Sequence, residues 1–288
     1  MGFMATLKGS MALRAHNKGD MEKAKKLYEE AMAGGLMSAR PMLGYAILLI
    51  REGSYQEAMD LLVKTQKAPD LTPDRKSQLF VDYACCCAKT GQLDKGVRLL
   101  ERQHNKVPTG LTYQTLGYLY VEQLLPENKP VADENTEVKL PGEPENHEIA
   151  EGAELADEAM PPQVQTLTVA QKQAILDEQW EERKQKALKM LEESVDYDDE
   201  DPVCLDNIAQ FYYRVLGDKA TARTWFDKAH EEKPGQIDSL WFLSRYDLDN
   251  GDKAAAIEKL ETALKGRFSP LNYADKPMIE AELARLKG

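Results

Sequence analysis

A chain of 288 residues, 42% hydrophobic and 30% charged, has the composition of a soluble protein that can bury a sizeable core, as one domain or as an array of smaller units. Its net charge of −12 argues against nucleic-acid binding, which needs a basic surface. The longest aliphatic run, AILLI at 46–50, is far short of the roughly 20 residues of a membrane span.

The N-terminal MGFMATLKGS lacks the order of a secretory signal, so a cytoplasmic protein is expected. Gly2 and Thr6 match the loose myristoylation pattern, but helix-like sequence follows almost at once. From there helical segments alternate with the turn signals NKGD (17–20), REGS (51–54), KTGQ (89–92), VLGD (215–218) and DNGD (249–252). Gly19 to Gly53 is 34 residues, Gly53 to Gly91 is 38, and Gly217 to Gly251 is 34 again. A period of that size means stacked helical units rather than one closed core. Each glycine can take the left-handed conformation that ends a helix. The following Asp20, Ser54, Asp218 or Asp252 can cap the next one, and Ser54 with Glu57 forms a capping box. Thr168 with Gln171 opens another helix near 169, Asp201 and Pro202 open the next, and a last helix is expected at about 277–287.

The residues around these turns are specific. YQTLGYLY supplies Tyr113, Leu116, Gly117 and Tyr120, and ATARTWFDKAHEEKP supplies Ala222, Phe226, Ala229 and Pro234. In this the chain resembles the tetratricopeptide repeat family, whose first helix carries W-x2-L-G-x2-Y and whose second carries A-x3-F before a proline. The resemblance covers about 5–125 and 180–270. It implies an all-α, right-handed superhelical solenoid of about six helix pairs plus a C-terminal helix. One departure is Gly96, where the family has alanine, at a cost of about 1 kcal/mol in helix propensity.

Residues 126–162 hold eleven acids against two lysines, six prolines and no aromatic residue. Composition of that kind predicts a disordered insertion over 126–167, inside the turn of the fourth repeat. It divides the chain into 1–125, the insertion, and 168–288.

The run Cys85, Cys86, Cys87 suggests a metal or redox centre, but neighbours on a helix diverge by about 100° and cannot converge on one ion. No second cysteine pair or nearby histidine supplies zinc spacing. The thiols are read as core packing. His16, His104, His147 and His230 are scattered, and there is no phosphate loop, no G-x-S-x-G and no H-E-x-x-H. No catalytic residue, cofactor or metal is expected.

A binding role remains. In the family the first helices line a concave groove for a peptide, a helix or a protein tail. Here the groove-facing positions include Leu43, Ile47 and Arg51, then Val81 and Cys85, and then Gln114 and Tyr118. The last two repeats add Tyr213, Arg214, Trp241 and Arg245. Aromatic and arginine side chains of this kind favour interaction surfaces. The positions that would clamp a chaperone's acidic tail are Gly9, Leu13, Gly44, Gln78 and Val81, none of which is the lysine, asparagine or arginine that the family's clamp uses. The chain is therefore expected to be a non-enzymatic adaptor for a protein or peptide partner. A self-assembling homo-oligomeric scaffold and a regulatory subunit of an enzyme complex are the alternatives.

Overall fold

The computed structural model describes residues 2–138 and 167–288, and among them there are thirteen α-helices and no strand. They form six antiparallel pairs: α1 (Gly2–Asn17) with α2 (Met21–Ala33), α3 (Ala39–Arg51) with α4 (Tyr55–Thr65), and α5 (Pro73–Lys89) with α6 (Leu93–His104). Next come α7 (Gly110–Gln123) with α8 (Val169–Tyr197), α9 (Pro202–Gln210) with α10 (Lys219–Glu232), and α11 (Ile237–Asp249) with α12 (Lys253–Ala263). A last helix, α13 (Lys276–Lys287), packs on α12. The first helices lie side by side, α1 on α3, α3 on α5, α5 on α7 and α7 on α9, and so build one inner face.

The turns work as the sequence predicts, with one exception. Gly19, Gly53, Gly91, Gly217 and Gly251 take φ between +71° and +82°. Asp20, Asp218 and Asp252 accept from the backbone N–H three residues on, at 3.3, 3.0 and 2.9 Å. The Ser54–Glu57 capping box is not formed. Ser54 N–H donates instead to Leu49 O at 2.9 Å, so the donor that Glu57 would need is already spent.

Small residues set the spacing. Ala24, Ala46, Ala58, Ala84, Ala222 and Ala256 are fully buried between helices. Gly117 meets the next repeat so closely that a Cβ there would lie 2.6 Å from Asn207 Nδ2. Gly96 has a similar reason to lack a side chain: a Cβ would sit 3.0 Å from Cys87 Cβ and 3.1 Å from Ala84 O. Close approach of α5 and α6 offsets its poor helix propensity.

Cys86 and Cys87 are fully buried in a cluster with Leu61, Leu62 and Leu79, and Cys85 is nearly so. Burial pushes the Cys85 thiol up to about 12 and raises Cys86 and Cys87 as well. They pack as neutral thiols.

The chain after α7 is ordered further than its composition predicts. Pro126–Asn128 forms one 3-10 turn, and the following residues run along the start of α8. Gln173 accepts from Ala132 N at 2.8 Å and donates to Pro130 O at 3.3 Å, Lys172 donates to Glu134 O, and Lys129 pairs with Asp177 at 2.9 Å. These partners in α8 lie more than 40 positions away for Ala132 and Pro130, where composition cannot show them. The rest of the expected insertion, 139–166, lies outside the described residues. Farther along α8, Trp180, Ala187 and Leu191 are buried against the array.

Candidate binding cleft on the inner face

A cleft of ≈ 450 Å³ opens on the inner face among α5, α7, α9, the start of α11 and the segment between α12 and α13. Val81 and Tyr118 form its apolar floor, with Leu111 at the side. Tyr118 is 8% exposed, and Lys89 Nζ donates to its hydroxyl at 3.1 Å, which fixes the ring. Asn207 Nδ2 donates to Gln114 O at 2.8 Å and holds α9 against α7. Lys233 and Arg267 stand exposed at the mouth, with no carboxylate partner among the described residues.

The lining of the cleft also includes a buried acidic pair, Asp206 and Asp238. Asp206 accepts from Ser239 Oγ at 2.5 Å and from Gln210 Nε2 at 2.7 Å. Asp238 accepts from Asn272 Nδ2, Tyr273 N and Ala274 N at 2.9, 3.1 and 3.0 Å. Burial raises both carboxyls above their ordinary range, the neighbouring Asp238 raises Asp206 further, and Arg214 opposes both shifts. On α5, burial pushes Asp82 up to about 7; one of its oxygens accepts from Gln78 and the other has no partner among the described residues.

The expected groove residues separate into three groups. Leu43 is buried in the core of the second repeat, Ile47 is half-buried, and Arg51 is exposed with its Nη1 3.4 Å from His16 Nε2. Tyr118 lines the cleft and Arg214 lies next to it, donating to Glu122 at 2.7 Å and to Gln210 at 3.0 Å. Trp241 is buried beneath the Arg245 guanidinium at 4.2 Å, and Arg245 pairs with Glu282 of α13 at 2.6 Å. Two arginines, Arg285 first and then Arg245, hold the Glu282 carboxyl down at about 2. Tyr213 does not reach the inner face; it packs among Phe226, Phe242 and Tyr246. The cause is a π-helical stretch, Phe211–Leu216, which holds one residue more per turn and moves Tyr213 to the packing position.

No family model matches the chain, and no curated protein matches it. Solved structures do. The type IV pilus biogenesis factor PilW is 12% identical with a TM-score of 0.58, covering 100% of both chains. TTC0263, described as a thermophilic TPR protein of Thermus thermophilus, is 13% identical with a TM-score of 0.56, covering 87% of this chain and 99% of its own. The pilF protein of Pseudomonas aeruginosa is 12% identical with a TM-score of 0.53, covering 98% and 97%. The fold is that of the tetratricopeptide repeat.

Within that fold, the residues missed by sequence reasoning are Lys233 and Arg267 at the mouth, Asp238, and the Leu271–Ala274 segment it holds. The available signal is GRFSPLNYADKP (266–277), a connection too long and too apolar for a tetratricopeptide-repeat turn. Among the described residues no helix is long and apolar enough to cross a membrane.

Proposed function

We propose that this chain is a non-enzymatic interaction scaffold that holds a segment of a protein partner on its inner face. The observation that carries the reading is the cleft itself. An apolar floor of Val81 and Tyr118, on helices fixed by inter-repeat packing, lies beneath Lys233 and Arg267, cations with no carboxylate partner among the described residues. A mixed surface of that kind, with a rigid aromatic and exposed charge, suits a peptide rather than a reaction. The groups with chemical potential in the cleft, Asp206 and Asp238, are tied to structural donors, and the thiols are buried and neutral. Four free cysteines fit a reducing compartment such as the cytoplasm. The test is a photo-crosslinking amino acid placed at Leu111 beside the cleft or at the exposed Lys64 on α4, in cells of the source organism. A discrete protein adduct from Leu111 and none from Lys64 is expected. Equal labelling from both positions, or labelling from Lys64 alone, overturns the reading.

One observation favours a second reading, self-assembly. On α1, Phe3 is 80% exposed, Met4 59%, and Leu7 and Met11 44% each, a row of uncovered apolar side chains. Light scattering of the parent and of Phe3→Ser/Leu7→Ser separates the two. A parent dimer that the double variant abolishes supports assembly through α1; a monomeric parent removes it.

A further inference from the structure

The connection from α12 to α13 does more than join two helices. It leaves α12 at Gly266, which lies so close to Ile237 that a Cβ would be 2.8 Å from its Cγ1. It then crosses the inner face as a strap. Pro270 sets a tight turn in which Asn272 N donates to Ser269 O at 3.0 Å, and Ser269 N donates back to Asn272 Oδ1 at 2.7 Å. Leu271 comes out of this turn against two apolar clusters, one around Val81 and Tyr118 and the other around Leu79 and Cys85. Asp238 then receives three N–H groups from Asn272, Tyr273 and Ala274. The Tyr273 ring lies 5.0 Å from Phe242 on one side and 4.2 Å from the Arg214 guanidinium on the other.

These are the contacts of a bound peptide: backbone donors fixed by one carboxylate, one aliphatic side chain in an apolar site, and one ring between an aromatic and an arginine. We propose that Leu271–Ala274 is a ligand held in cis, and that its seat on the inner face is a binding site for extended partner segments carrying an aliphatic residue, an asparagine and an aromatic in succession. A partner of that chemistry displaces the strap. The inference rests on the reading of the inner face as an interaction surface, and it names what the surface recognises.

Two features make the strap displaceable. Its flanks have burial of their own: Leu260 and Ala263 of α12 and Ile279, Leu283 and Leu286 of α13 are buried in one cluster, to which the strap adds Ala274 and the partly buried Phe268 and Tyr273. The strap itself is only partly buried. Arg267 and Ser269 are exposed and Leu271, Asn272 and Tyr273 are half-buried, while Ala274 alone is fully enclosed. A tethered segment competes at an effective concentration on the order of millimolar, so a free peptide meets a closed site in the parent chain.

The experiment uses the full chain and an N-acetylated, C-amidated, fluorescein-labelled peptide with the sequence of residues 266–276. Binding is read by fluorescence anisotropy to the parent and to the strap-opened variant Leu271→Ser/Tyr273→Ala. The opened variant is expected to bind at least tenfold more tightly than the parent. That binding should be lost when Asp238→Asn is added, and lost when the peptide's own tyrosine is replaced by alanine. A folded opened variant that binds no better than the parent overturns the proposal, as does binding that survives both changes. Should the opened variant fail to fold, hydrogen exchange of the parent decides. The Tyr273 and Ala274 amides are expected to exchange at least tenfold faster than the core of α13, and equal protection overturns displacement. Failure here with specific crosslinking from Leu111 condemns the strap inference alone. Peptide binding without such crosslinking condemns the partner reading instead.

Discussion

The guanidinium of Arg214 lies 4.2 Å from the centre of the Tyr273 ring while it donates to Glu122 at 2.7 Å, and so ties the fourth repeat, the fifth repeat and the strap together. Its side chain is 11% exposed and that of Glu122 25%, so removing it strands a half-buried carboxylate. Arg214→Ala should cost about 2–4 kcal/mol in urea unfolding. Arg214→Lys should recover less than half, because an ammonium cannot both stack and hydrogen-bond in a fork. A loss below about 0.5 kcal/mol would show the junction to be idle.

Gly117 should resist any side chain. The Cβ of Gly117→Ala would lie 2.6 Å from Asn207 Nδ2 and 3.0 Å from its Cβ, so α7 and α9 must part or Asn207 must leave Gln114 O. Overpacking of this kind costs about 1–3 kcal/mol. Adding Asn207→Ala should relieve part of it, and the two changes should be non-additive in a double-mutant cycle. Strict additivity would mean that the clash is absorbed elsewhere.

Asp82 makes stability depend on pH. Burial pushes its carboxyl from 3.8 up to about 7. Between those values the unfolded chain ionises Asp82 while the folded chain keeps it protonated. Its contribution is therefore fully present below about pH 4 and is lost as pH rises towards 7. Asp82→Asn, which cannot ionise, should gain on the parent across that window, by on the order of 2–4 kcal/mol at its upper end. Thermal melts of both proteins from pH 4 to pH 8 measure the difference. A constant gap would rule out a buried neutral Asp82.

The four thiols should be silent in the native protein. Cys85, Cys86, Cys87 and Cys204 are all buried, and burial pushes Cys85 and Cys204 up to about 12. An aromatic disulfide reagent should titrate almost none of them at pH 8 and all four in denaturant. Cys86→Ala should cost about 1–3 kcal/mol through lost packing. Rapid reaction of one native thiol would reopen the redox reading.

The repeating frame was legible because it depends on local chemistry. A glycine at positive φ, an aspartate three residues before the N–H it caps, and an alanine where two helices touch each leave a mark within a few positions. Ser54 is the exception that shows the limit: its N–H is bonded to Leu49 O, so the reciprocal half of the expected box cannot form. The inner face was legible as a face and not as an occupied one. Helical spacing places Arg214, Trp241 and Arg245 near it, but what covers them comes from Tyr273 and Glu282, at the far end of the chain. Asp238 shows the same limit: its three donors are 34 to 36 positions away, and nothing around it in sequence distinguishes it from a solvated acid. Tyr213 was misplaced because helical counting assumes 3.6 residues in every turn.

That last miscount has a consequence for how this surface can change. Within Phe211–Leu216 the surplus residue advances everything after it, so Arg214 meets Glu122 while Tyr213 turns away towards Phe242. Deleting one residue there would restore ordinary winding and swing the preceding side chains by about 100° relative to the turn at Gly217. The deletion would retarget the arginine without altering a single remaining amino acid. Segment length inside this helix is thus a heritable variable in its own right, open to insertion and deletion and invisible to any scan made by substitution.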